Sequence, residues 1–405
     1  MKRLFLLVYL FFLIYTPPIF FINMRHIIGL IAWVGLIAHF KNFTKLIRSF
    51  NVIFVELTLL LMLIYIAVIA SLNGNNLRVV SFFLYWLVDI IPGAAFAAIY
   101  CNCLKVDCME VIIKVGVLQG LLSVIAFISG DFQQILLNIM ANSGFYTKEF
   151  LDSVKNWRAY GLSSALFFDM PIVQAYLGIF SVYLGFTKNV KYYIYSCVLF
   201  FSALINARTS FAVILLGVFF LVFNKKILNL KKEQFLKLMG ILLLIVPAFL
   251  MIFKGINDNN ATVTWVIQGI KEFNPFAKDR HTVDILLDKM VIYPDSIGMV
   301  FGKGVRIMGG NDKYNVGSDI GYINDLWMGG MIYSVGIYML FAYILNVIRK
   351  KYIFGEKLVN IFFMFTLSVF IVCNVKGQIY SPNCFTVLIM ILFMESCLKW
   401  RESIK

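Results

Sequence analysis

An all-α polytopic membrane protein is the fold class that the sequence predicts, and three observations predict it. Of 405 residues, 61% are hydrophobic and only 14% charged, whereas a soluble chain carries roughly a quarter charged residues. The apolar residues fall into runs suited to a hydrocarbon core about 30 Å thick, which takes ~20 residues per helix. The basic residues cluster between those runs, so the net charge of +15 reads as a cytoplasmic-facing bias and not as a nucleic-acid-binding face.

Taken in order, about 12 spans are predicted: 4–22, 26–40, 52–71, 79–100, 111–129, 162–186, 192–206, 210–223, 236–253, 326–348, 358–374 and 384–398. Met1-Lys2-Arg3 and the apolar run after it have the outline of a signal peptide. The run lacks a small-x-small cleavage site and is interrupted by Pro17-Pro18, so a retained first helix is expected. Even parity puts both termini on one side. Basic groups such as Lys41, Lys45 and Arg48, or Lys225, Lys226, Lys231 and Lys232, fall in loops on that side. The short opposite loops hold only Arg25, Arg78, Arg208 and Lys376. Short loops carry the orientation signal, so the prediction is N-in/C-in.

Two outer loops are long, and the whole of 1–405 reads as one integral-membrane domain. In loop 130–161, Phe132, Ile135, Leu136, Ile139 and Met140 are spaced for an amphipathic helix on the membrane surface. Loop 254–325 is the largest polar segment. Phe276, Val283, Leu286, Leu287 and Met290 predict a second amphipathic helix over 276–292, ended by Tyr293-Pro294. Seven cysteines show no zinc spacing, although Cys101, Cys103 and Cys108 cluster at a span end. Cys373 and Cys384 could both face outward and pair.

The chemistry concentrates at the end of the second loop, FGKGVRIMGGNDKYNVGSDIGYINDLWMGG, residues 301–330. A polar, glycine-rich segment running into an apolar span is a poor lipid-facing structure, and it better lines a cavity. Outer arginines work against the positive-inside bias. Arg158, Arg208, Arg280 and Arg306 therefore suggest a site for an anion such as pyrophosphate, which a guanidinium grips with two parallel hydrogen bonds. A headgroup contact or an Asp partner is the alternative for any one of them. Asp319 and Asp325 flank the return into the membrane. Either would serve as general base on a hydroxyl if burial raised its proton affinity, and Asp325 could equally cap the adjoining helix. His281, next to Arg280, could serve as acid, base or sugar contact, and a plain surface histidine is the alternative. Tyr160 and Tyr322 belong to an aromatic set that fits an interfacial belt or a sugar platform. Glu56, Asp89, Asp169 and Glu395 lie inside spans and are expected to face the bundle interior, with Lys114 a possible partner.

FGKG at 301–304, SDIGY at 318–322, the Gly329-Gly330 pair and the Ala207-Arg208-Thr209 turn resemble the signature of O-antigen polymerases of the Wzy type. The twelve-span N-in/C-in topology with its large late loop resembles that family too. Related O-antigen ligases carry a histidine where this chain has Asp319. The resemblance implies a GT-C-like glycosyltransferase of the bacterial inner membrane. Such an enzyme joins undecaprenyl-pyrophosphate-linked oligosaccharides, donor and acceptor alike, on the periplasmic face. It implies Asp319 as base on the acceptor hydroxyl, with Arg208 and the other arginines compensating the leaving group without a metal or other cofactor. A chain-length regulator is an implied partner. An O-antigen ligase or capsule polymerase is the nearest alternative, and a polysaccharide flippase the alternative of another class.

Overall fold

The computed structural model describes residues 1–19, 24–144, 146–155, 158–164, 169–223, 289–308, 310–311, 313–351 and 355–402. Helices occupy each predicted span except 236–253, which lies outside the described residues, as does most of the 276–292 amphipathic segment. Length and composition qualify five helices as membrane-crossing: Phe50–Leu72, Leu77–Cys103, Cys108–Ile128, Asp169–Thr187 and Gly321–Lys350. A sixth candidate is the pair Met24–Ala38 and Phe40–Ile47, bent by 101°. The chain divides into two compact units.

The first unit comprises Met1–Ile14, Arg25–Met109 and Arg280–Lys405. Its helices are α1 (Lys2–Tyr15), α2 (Met24–Ala38), α3 (Phe40–Ile47), α4 (Phe50–Leu72) and α5 (Leu77–Cys103). After the second unit it resumes, in the chain order used below, with α12 (Ser296–Phe301), α13 (Gly321–Lys351), α14 (Gly355–Cys373) and α15 (Cys384–Glu402). On α4 the buried residues Val52, Val55, Leu59, Met62, Ile66 and Ile69 recur every three or four positions. The opposite face carries exposed Leu57, Leu61, Ile64 and Val68. An apolar face of that extent suits lipid and not water. By contrast, α15 is apolar all round, and Phe385 through Met394 are buried throughout. A π-turn at Tyr85–Ile90 interrupts α5, a device that reorients side chains locally.

One break organises the segment around Phe301–Gly304 in this unit. Within α13, Gly329 and Gly330 leave helical geometry, Gly330 at φ 66° and ψ −164°. Such a break opens the i→i+4 hydrogen-bond ladder. The carbonyls of Trp327 and Met328 accept instead from the amides of Lys303 (2.8 Å) and Gly304 (3.1 Å). Tyr65 on α4 donates its hydroxyl to the carbonyls of Gly329 (3.2 Å) and Phe301 (3.0 Å). The FGKG segment thus closes the broken helix. Backbones approach so closely that a Cβ on Gly330 would stand 2.3 Å from the Val300 carbonyl oxygen.

The second unit comprises Tyr15–Met24 and Glu110–Asp279. It holds most of α6 (Cys108–Ile128), then α7 (Gly130–Asn142), α8 (Lys148–Lys155), α9 (Asp169–Thr187), α10 (Lys191–Asn206) and α11 (Thr209–Phe223). The predicted surface helix in 130–161 is α7, opened by Ser129, whose Oγ accepts from the Phe132 amide. Its buried face is Leu136, Leu137 and Met140, while Ile135 is exposed. The predicted face is therefore rotated, because Leu136 packs with Ala126, Ala159 and Ile205. Within the sixth predicted span the described helix is Asp169–Thr187. Residues Gly161–Ser164 before it are not helical.

Gly330→Ala adds both left-handed backbone strain, which alone costs about 1–3 kcal/mol, and a clash with the Val300 carbonyl. The variant is expected to unfold several degrees below the wild type in detergent, read by circular dichroism. Gly336→Ala, where the nearest atom is the flexible Met62 Cε at 3.0 Å, is expected to be far milder.

Candidate functional site

In the first unit the cationic side chains of residues 301–330 separate into two kinds. Lys303 ties to Asp295 (2.6 Å), whose other oxygen accepts from the Gly298 amide (2.7 Å) at the start of α12. Those two contacts hold the Asp295 carboxyl below the usual carboxylate range. Lys313 closes the C-terminal end of α4, donating to the carbonyls of Asn73 (2.8 Å) and Gly74 (2.9 Å) and to Asn75 Oδ1 (2.7 Å). Both lysines are structural. Arg306 is the other kind. Its Nε donates to Gln378 Oε1 at 2.7 Å, its guanidinium lies over the Phe82 ring at 5.4 Å, and Nη2 is 3.5 Å from Met308 Sδ.

Behind Gln378 stands Asp325, 1% exposed. Gln378 Nε2 donates to its Oδ1 (2.8 Å), while Asn374 Nδ2 (3.0 Å) and the Tyr338 hydroxyl (2.9 Å) donate to its Oδ2. Asn374 is itself fixed, its Oδ1 accepting from the Ile379 amide (3.1 Å) and its carbonyl from the Tyr322 amide (3.3 Å). The result is a buried line of hydrogen bonds from arginine through amide to carboxylate, in a setting where unpaired polar groups are costly.

Asp325 and Asp319 therefore differ in kind. Asp319 is 43% exposed and pairs loosely with Lys376, 3.7 Å away. Of the two carboxylates it is Asp325 that is buried, and that carboxylate is fully engaged. Ser318 is buried, donating to the Met290 carbonyl (2.6 Å) and accepting from the Ile320 amide (3.1 Å). Asn324 gathers the same segment, accepting from the Ile307 amide (3.1 Å) and donating to the Ser318 carbonyl (2.7 Å). The Tyr322 hydroxyl is committed to the Ile371 carbonyl at 2.6 Å. Arg280 and His281 lie outside the described residues.

In the second unit the segments that carry Arg158 and Arg208 are joined through their neighbours. Asn206, at the end of α10, accepts from the Ala159 amide (3.0 Å) and donates to the Ala159 carbonyl (3.0 Å). This clamp brings the strip containing Arg158 to the turn containing Arg208. Arg158 Nη1 donates to the Tyr160 hydroxyl (2.9 Å), and its carbonyl accepts from Gln133 (2.9 Å). Tyr160 is 5% exposed, and burial pushes its hydroxyl up to about 12 against the opposing charge of Arg158. The buried Gln119 side chain clips the strip from α6, donating to the Tyr160 carbonyl (2.6 Å) and accepting from the Leu162 amide (3.3 Å). Gly161, at φ 62°, leaves room for it. Ser164 completes the strip, with its amide on the Tyr15 carbonyl (3.1 Å) and its carbonyl accepting from Tyr146 (2.7 Å). Non-helical backbone beside a membrane core survives only when satisfied in this way.

Two of the other acids, Asp89 and Glu395, are paired. Asp89, placed by the π-turn, meets His26 Nδ1 at 3.2 Å. Glu395 is buried and meets Lys399 at 2.7 Å, one turn along α15. Asp169 opens α9, and Glu56 is half-buried. Lys114 is exposed beside Glu110, whose ion pair is with Lys188. Cys373 and Cys384 are both buried thiols. Cys103 has a histidine neighbour that the sequence conceals, His39 Nδ1 at 4.0 Å. No group of three or more metal-ligating residues occurs among the described residues.

Asn374, Gln378, Asn206 and Gln119 escape sequence reasoning, since amides carry no motif. The available signal is position: each interrupts or adjoins an apolar run, where an amide needs a partner. Among known proteins, no family model, no curated protein and no solved structure matches the chain. The fold itself defines an all-helical chain, among the described residues, with apolar helices of membrane-crossing length.

Two outcomes test this geometry. Asn206→Ala strands both polar groups of Ala159 and is expected to lower stability by roughly 1–3 kcal/mol, read as a lower midpoint in detergent unfolding. The folded Tyr160 value of about 12 lies above the ordinary 10.0. Its contribution is thus complete below pH 10 and lost as pH rises through about 12, at most roughly 2–3 kcal/mol. Tyr160→Phe is expected to show a correspondingly smaller stability loss between pH 9 and 12.

Proposed function

We propose that the chain is a glycan polymerase of the bacterial inner membrane, crossing it about twelve times with both termini cytoplasmic. It joins undecaprenyl-pyrophosphate-linked oligosaccharide repeat units on the periplasmic face, as polymerases of the Wzy type do. The observation that carries this reading is Arg306, held over Phe82 and tied through Gln378 to the buried Asp325 carboxylate. A guanidinium oriented in this way suits an oxyanion better than a mobile lysine would.

In this reading the anomeric C–O bond to the donor's pyrophosphate breaks as a bond forms from an acceptor hydroxyl. Undecaprenyl pyrophosphate leaves, and the hydroxyl proton passes to Asp319, the accessible carboxylate of the segment. Arg306 is the cation of the first unit assigned to the pyrophosphate; within the second unit, Tyr160 orients Arg158. His281 is assigned to the sugars.

A ligase or capsule polymerase would use the same chemistry with another acceptor. A flippase is the second reading, favoured by the ion pairs Asp89–His26 and Glu395–Lys399 within helices. Purified protein given only lipid-linked repeat units is expected to form longer glycan, whereas a flippase would form no new glycosidic bond. In cells, Arg306→Ala and Asp319→Asn are each expected to cap surface glycan at one repeat unit on an electrophoretic ladder. Normal ladders from both variants would sink the assignment.

A further inference from the structure

We infer that Asp325 is a positioning residue for Arg306, acting through the Gln378 amide without touching substrate. The functional part of this inference rests on the reading that Arg306 meets the donor's pyrophosphate.

The argument is one of hydrogen-bond direction. An ionised carboxylate only accepts, and a guanidinium only donates. Asp325 receives three donors, Gln378 Nε2, Asn374 Nδ2 and the Tyr338 hydroxyl. Gln378 has one donating end and one accepting end. With its NH2 claimed by Asp325, its oxygen must face Arg306, as it does at 2.7 Å. The same logic orders Tyr338, which donates to Asp325 and accepts from Asn374 at 3.1 Å. Burial at 1% exposure keeps this carboxylate from substrate, while Asp319 stays accessible beside Lys376.

A neutral Asn at 325 would replace one accepting oxygen with a donor. That donor must face either the Gln378 NH2 or the Asn374–Tyr338 pair, each of which also donates. Flipping Gln378 to relieve the conflict turns its NH2 toward Arg306 and takes this acceptor away from the guanidinium. Moving the negative charge one step along the line should repair this. In the double variant Asp325→Asn with Gln378→Glu, residue 378 accepts from both sides, and Arg306 again has an acceptor.

The test is arginine reactivity in the full-length, detergent-purified protein. Phenylglyoxal modification of Arg306 is measured by peptide mass spectrometry and normalised to exposed Arg78. Asp325→Asn and Gln378→Leu are each expected to raise the Arg306 rate at least about threefold, the effect of losing a hydrogen bond to a charged group. The double variant is expected to return it to the wild-type rate. The Michaelis constant for the lipid-linked donor is expected to rise about tenfold in both single variants, with the acid limb of the pH–rate profile unmoved. Unchanged Arg306 reactivity in both single variants overturns the positioning role, as does an acid limb that vanishes in Asp325→Asn alone. If reactivity behaves as expected but undecaprenyl pyrophosphate protects Arg306 in no protein, wild type included, positioning stands and the pyrophosphate reading falls. Should Asp325→Asn fail to fold, Gln378→Leu and the double variant decide.

Discussion

A carboxylate buried in an apolar helix needs donors on both of its oxygens, and Asp325 sets that requirement for the segments packed around it in the first unit. Its donors come from α13 itself (Tyr338) and from the loop after α14 (Asn374 and Gln378). Two segments far apart in sequence are therefore locked to one carboxylate. In an apolar setting, removing one partner strands a charge, and the penalty exceeds that of an ordinary lost contact. Aromatic rings pack beside it: Tyr380 stacks on Phe370 at 4.8 Å, meets Phe341 at 5.0 Å and lies 4.7 Å from Tyr338 itself.

The broken helix works with this constraint. If α13 ran straight, Trp327, Met328 and Gly329 would keep their carbonyls within the helix, and the FGKG segment would have nothing to pair with. The break hands those carbonyls to Lys303, Gly304 and Tyr65. That pairing anchors the FGKG end of the segment, and Arg306 follows two residues after Gly304. Asn324 accepts from the Ile307 amide beside it, so Arg306 is fixed from both its backbone and its side chain.

Apolar runs such as 52–71 announced their helices, because periodic burial against one face and lipid against the other leaves a plain pattern. The non-helical strip Gly161–Ser164 was hidden, because its backbone amides are taken by Gln119 and Tyr15, partners far off in sequence. The π-turn in α5 was equally invisible. The polar segment at 301–330 stood out from its composition, and Arg306 and Asp325 were legible as candidates. What distinguished Asp325 from Asp319 was not, because the difference resides in Asn374 and Gln378, some fifty residues downstream. An amide declares its role only through its partners.

The contrast between the two carboxylates also bears on what each unit contributes. A residue that binds or transfers protons must reach solvent or substrate, and one that orients others gains from burial. Asp319 with Lys376 satisfies the first condition, and Asp325 with its three donors satisfies the second. Tyr160 stands to Arg158 as Gln378 stands to Arg306: within each unit a buried, oriented partner holds a guanidinium in place. A planar fork held in this way presents its donors in a fixed direction, which a lysine on its flexible stem does not.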